Sequence, residues 1–170
     1  MKKILVVFLS FLIFSCENDV SLDPRPDRIP GQFVYLDIIN SKIDANNIAT
    51  SAFEGVLSVP ANNVDKYELF VARRDAKGFV SDYVLLETIT TFPFNLKVNN
   101  SKIMAVGLPS LVNSDILRFY GRSYKNGNVA DFNSLAGILR TSVAQKQAYR
   151  FKTEVTDLDL DKPIENQYTW

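Results

Sequence analysis

From residue 33 onward the chain advances in short stretches that alternate apolar with polar side chains or crowd β-branched and aromatic ones. This rhythm restricts its fold more than any other feature. Seven such stretches, residues 33–39, 52–59, 67–73, 79–89, 94–98, 116–124 and 148–155, are separated mostly by polar, Gly, Pro or Asn breaks. A two-residue repeat puts successive side chains on opposite faces, so each stretch suits a strand with one buried face. Asn126-Gly127, just after the sixth stretch, signals a tight hairpin, because both central residues of that turn need positive φ. The pattern predicts an all-β chain, an antiparallel β-sandwich of about seven strands. One short connecting helix is expected. Asn99 or Asn100 can cap residues 101–106, Gly107 suits the position after its end, and Pro109 blocks continuation.

Residues 1–15 have a different character. Lys2 and Lys3 precede an apolar run of 11 residues, 4–14, broken only by Ser10, which fits the apolar region of an export signal. The run is shorter than the roughly 20 residues a helix needs to span a bilayer. In Ile13-Phe14-Ser15-Cys16, bulky Phe14 stands where an ordinary secretory site has a small residue, and small Ser15 directly precedes the cysteine. This box resembles the lipobox of bacterial lipoproteins, which implies that Cys16 opens the mature chain and carries lipid. A plain secretory signal with a free cysteine nearby is the alternative. Each buried acyl methylene contributes about 0.8 kcal/mol and stable anchoring needs more than one chain, a condition that a multiply acylated cysteine meets.

Residues 16–32 read as a lipid-anchored tether. Pro24, Pro26 and Pro30 keep it extended, and Glu17, Asp19, Asp23 and Asp27 keep it solvated. At roughly 3.1 Å per residue it reaches up to about 50 Å. Glu17 and Asp19 resemble the acidic signal that sends lipoproteins of Bacteroidota to the outer face of the outer membrane. The expected location is therefore the outer membrane, facing the cell exterior. A spacer whose acids only keep it soluble fits the same residues.

The residue inventory excludes much chemistry. The chain contains no histidine, and Cys16 is its only cysteine. Ser-His and Cys-His catalysis, disulfides and the usual zinc ligand sets are thereby ruled out within this chain. Nineteen basic residues balance nineteen acidic ones, and removing the signal with Lys2 and Lys3 leaves the mature chain near net −2. Nucleic-acid binders usually show a basic excess, so no nucleic-acid partner is expected. Acids are spread along the chain without the convergent pair a glycosidase needs. In the tail, residues 156–170, Asp157, Asp159, Asp161 and Glu165 suggest a calcium loop, but Lys162 and Tyr168 stand where an EF-hand needs Gly and Glu. The tail reads as solvated and acidic. No cofactor, metal or enzymatic activity is expected.

The most suggestive constellation lies in the stretch 116–124. With Leu117 and Phe119 pointing into the core, alternation places Arg118, Tyr120, Arg122 and Tyr124 together on the outer face. If the closing strand pairs beside it, Tyr149 and Phe151 point inward while Lys146, Arg150 and Lys152 join the outer stripe. The stretch 67–73 on the other side adds Glu68 and Phe70. Phe70 would be an apolar group on a polar face, an interface signal. Tyr and Arg are enriched in binding hot spots, and guanidinium groups grip carboxylates with two bonds. A solvated face held by cross-strand Tyr–Arg and Glu–Arg pairs fits the same residues.

Several segments carry a resemblance to a known family. They are the opening Gly31-Gln32-Phe33-Val34-Tyr35-Leu36-Asp37, then Tyr67-Glu68-Leu69-Phe70-Val71 and Val84-Leu85-Leu86-Glu87-Thr88-Ile89. The passage from Phe94-Asn95-Leu96-Lys97-Val98 through Ile103-Met104-Ala105-Val106 to Ile116-Leu117-Arg118-Phe119, and the closing Tyr149-Arg150-Phe151, complete the set. In this order they resemble the immunoglobulin- or cadherin-like modules of surface lipoproteins of Bacteroidota, over roughly residues 31–155. The domain itself is placed at residues 33–155. The resemblance implies an immunoglobulin-like sandwich and a non-catalytic role: binding a partner protein or glycan, as an accessory to an outer-membrane complex of the nutrient-uptake type. A structural or adhesive envelope module is the alternative. The paired cysteines and core tryptophan of antibody domains are absent.

Overall fold

A computed structural model describes residues 32–135 and 146–158; Cys16, the tether as far as residue 31, and residues 159–170 lie outside the described residues. The described chain is mostly β and carries nine strands. They are β1 (Tyr35–Asn40), β2 (Lys42–Asp44), β3 (Ala52–Ser58), β4 (Lys66–Arg74), β5 (Val84–Ile89), β6 (Phe94–Asn99), β7 (Ile116–Lys125), β8 (Asn128–Ala130) and β9 (Arg150–Thr156). A three-stranded sheet has the order β1-β3-β6, and a six-stranded sheet has the order β2-β9-β7-β4-β5 with β8 added on β7.

Every pairing is antiparallel except β2 with β9, where Lys42, Ile43 and Asp44 run parallel to Glu154, Val155 and Thr156. The opening segment thus serves both sheets. β1 pairs with β3, the chain steps across at Ser41, whose carbonyl accepts from the Thr153 hydroxyl at 2.6 Å, and β2 joins β9.

The two sheets meet through their apolar faces. Phe53 of β3 stacks at 5.6 Å on Phe119 of β7 and at 5.7 Å on Phe151 of β9, with Leu57, Leu69, Val71, Leu96, Val98 and Leu117 buried around them. The hydroxyls buried inside are paired. The Tyr149 hydroxyl donates to the Gln32 carbonyl and lies 2.8 Å from Ser123 Oγ, and the Tyr67 hydroxyl donates to the Ala148 carbonyl. Gln32, the last residue of the expected tether, is already buried. Arg73 holds the fully buried Asp115 at the mouth of β7.

The turns follow from local chemistry. Asn126 and Gly127 take φ of +49° and +80° between β7 and β8, the conformation that the Asn-Gly pair predicts. The helix α1 (Asn100–Ala105) is capped by Asn99, whose side chain accepts from the Lys102 amide at 2.9 Å, and Gly107 follows at φ +85°. Three local expectations need correction. The stretch 79–89 forms a strand only from Val84; before it Val80 makes a single bridge to Arg74, and Phe79 is 73% exposed. β2 and β8 have no counterpart among the seven expected stretches, because three residues are too few for a periodic signal. Lys146 precedes β9 and pairs with Asp37 of β1 instead of joining the outer stripe.

Candidate functional site

The outer face of the six-stranded sheet is organised around Tyr120. Register sets Phe70 of β4 opposite it on one side and Arg150 of β9 opposite it on the other. Along β7, Arg118 and Arg122 flank it two residues away in each direction, and Tyr124 follows Arg122. Leu117, Phe119, Gly121 and Ser123, the alternate residues, are buried. Alternation alone therefore aims these four chemistry-bearing side chains outward.

Rings and cation form one cluster. The Phe70 and Tyr120 ring centroids lie 6.4 Å apart, and Tyr83, which enters from the segment before β5, lies 6.0 Å from Tyr120. The Arg122 guanidinium stands 5.4 Å from the Phe70 centroid and 5.5 Å from that of Tyr120, within cation–π range. Phe70, Tyr83, Tyr120 and Arg122 line a shallow pocket of about 360 Å³. Tyr83 and Leu85, the latter opposite Phe70 in register, are each 47% exposed and extend the apolar surface.

Hydrogen bonds fix the rings. The Tyr120 hydroxyl donates to Asp131 Oδ2 at 2.6 Å, and Asp131 also caps the turn Phe132–Ser134 by accepting from the amides of Asn133 and Ser134. The Tyr124 hydroxyl donates to Glu68 Oε2 at 2.5 Å, while Lys66 bonds Glu68 Oε1 at 2.8 Å and lies 4.0 Å from the Tyr124 ring centroid. Arg150 sits 5.3 Å from the Phe132 ring.

These contacts set the protonation states. The Tyr120 hydroxyl bond holds the Asp131 carboxyl below the usual range, and Lys66, then Tyr124, does the same for Glu68. Burial and Asp131 push the Tyr120 phenol up; Glu68 and burial push up Tyr124. Tyr120 nearest, these phenols also raise the Arg122 guanidinium above its usual value. At neutral pH the site presents neutral phenols, ionised carboxylates that are already occupied, and charged arginines. Among the described residues Arg118, Arg122 and Arg150 form no ion pair with a carboxylate.

Of the six residues picked from sequence, Phe70, Tyr120 and Arg122 share the pocket. Arg118 and Arg150 border it by register, and Tyr124 stands one pair further along. Cys16 lies outside the described residues. Sequence reasoning missed Tyr83, Asp131 and Phe132. Tyr83 is in an irregular lead-in that alternation cannot orient. Asp131 was findable, because Asp131-Phe132-Asn133-Ser134 carries a capping pattern at the end of a hairpin.

Among the described residues no three acidic, Cys or His groups are placed to hold a metal ion, and no helix is long and apolar enough to cross a membrane. Comparison with protein-family models, curated proteins and solved structures finds no match to this chain.

Proposed function

We propose that this chain is a lipid-anchored lipoprotein of the outer membrane, non-catalytic, that binds a partner through the outer face of its six-stranded sheet. Its role is accessory to an outer-membrane complex of the nutrient-uptake type. The observation that carries binding is the Phe70–Tyr83–Tyr120–Arg122 pocket, where partly exposed aromatic rings and a guanidinium that forms no ion pair among the described residues share a surface. Aromatic and Arg side chains are the groups that dominate binding hot spots. The anchor rests on the residues 13–16 and the apolar run before them.

An immunoglobulin-like sandwich is the finer fold reading. It is supported by the order β1-β3-β6 against β2-β9-β7-β4-β5, and by an opening strand shared between the sheets.

The test is site-specific photo-crosslinking of the full chain on intact cells of its own source. A crosslinker replacing Tyr83 should form adducts, and one replacing the exposed Lys97 on the other sheet should not. Equal adducts from both positions, or none from Tyr83, would overturn the reading. Palmitate labelling lost in Cys16→Ala checks the anchor in the same cells.

A further inference from the structure

We propose that the ligand of this face is a carboxylated saccharide, a chain of uronate-type sugars. The proposal rests on the reading that the outer face binds a partner and names the partner's chemistry. Three guanidinium groups surround one aromatic centre. Arg118 and Arg122 stand two residues either side of Tyr120 on β7, about 7 Å away along the strand. Arg150 faces Tyr120 directly from β9.

Among the described residues none of the three arginines forms an ion pair with a carboxylate, although Glu68 stands opposite Arg122 in register, and the nearby acids have other hydrogen-bond partners. Glu68 is taken by Lys66 and Tyr124, Glu154 by Lys152, and Asp131 by Tyr120 and the amides it caps. What remains is a local excess of positive charge on a chain whose total charge is balanced. A guanidinium fork matches a carboxylate with two parallel bonds, so repeated carboxylates are the complementary anions.

The rings decide what carries those carboxylates. Phe70, Tyr83 and Tyr120 form a shallow, open surface instead of a deep slot. Aromatic faces are electron-rich, and the C–H groups on one side of a sugar ring present a flat, weakly positive surface that packs on them. An acidic peptide would satisfy the arginines but offers no such plate. A neutral glucan would satisfy the rings and leave the arginines unused.

The experiment is calorimetric titration of the full chain in detergent with short oligogalacturonate. Its methyl-esterified neutral form and polyglutamate serve as comparators. Oligogalacturonate should bind at least about tenfold more tightly than either comparator, because each loses one set of contacts. Arg122→Gln should narrow the preference for acid over ester, and Tyr120→Ala, which removes the central ring, should weaken binding of acid and ester alike. Equal binding of the ester would overturn the charge argument. Equal binding of polyglutamate would reduce the site to unspecific attraction and overturn the sugar argument. If oligogalacturonate does not bind while Tyr83 still crosslinks on cells, the saccharide proposal falls and the partner-binding reading stands.

Discussion

Arg73 grips Asp115 with two parallel bonds, Nε to Oδ2 at 2.7 Å and Nη2 to Oδ1 at 3.0 Å, where Asp115 has no solvent exposure. The same carboxylate accepts from the Val112 amide at 2.8 Å, tying the loop before β7 to β4. Removing one partner of a buried pair leaves the other charge uncompensated, so Asp115→Ala should cost about 3–5 kcal/mol. Arg73→Lys keeps the charge but loses the planar fork and should cost less. Urea denaturation checks both; an Asp115→Ala loss below about 1 kcal/mol would contradict the role given to the pair.

Gly121 marks a close approach inside the six-stranded sheet. A Cβ there would lie 2.2 Å from the Tyr67 hydroxyl oxygen and 2.7 Å from the Ala148 carbonyl oxygen. Gly121→Ala should therefore destabilise by about 1–3 kcal/mol through overpacking. Tyr67→Phe deletes the nearest clashing atom, so the double variant should lose less than the sum of the two single losses. A double-mutant cycle measures this coupling, and strict additivity would show that the clash lies elsewhere.

Alkaline pH should weaken the fold through its buried phenols. Burial pushes Tyr149 up to about 12 and Tyr67 well above its usual value. The folded state holds these protons more tightly than the unfolded state, so the stabilisation is complete below about pH 10 and is lost as pH rises toward 12. Each such group contributes a slope of up to about 1.4 kcal/mol per pH unit in that window. Denaturation midpoints between neutrality and pH 12 should fall accordingly, and Tyr149→Phe should flatten the decline. A flat profile in the parent chain would remove the argument.

Phe53 is the ring that joins the sheets. Its truncation to Ala should cost about 3–5 kcal/mol, while Leu, which refills part of the space, should cost less. Loss of near-ultraviolet circular dichroism should accompany it, because Phe119 and Phe151 lose the ring stacked on both. An Ala variant as stable as the parent would mean that the sheets are held together by other contacts.

The outward stripe of β7 was legible because a central strand with one buried face has only one way to orient its side chains. Burial of Phe119 alone fixes the direction of Arg118, Tyr120 and Arg122. The neighbours of β7 were legible for the same reason, since Phe70 and Arg150 follow from register once β4 and β9 flank it. β2 was hidden, because its three residues are fixed by Thr153 and by parallel pairing, contacts distant in sequence. Tyr83 was hidden as well. Its position depends on a strand that starts later than its apolar content suggests, an effect of tertiary pairing that local propensity does not register.

The parallel join of β2 to β9 also governs how the domain responds to force. Traction on the chain before β2 and after β9 pulls two parallel strands in opposite directions along their own axes. The backbone bonds along this parallel pairing, continued by the Ala45 amide donating to the Thr156 carbonyl at 2.9 Å, then bear the load together, in shear, and cannot open one after another like a zipper. A module tugged from its N-terminal end would yield abruptly at one threshold, so a single sharp rupture in a pulling experiment is the signature of this join. Replacing Ile43 by Pro, which removes a backbone donor, should lower that threshold.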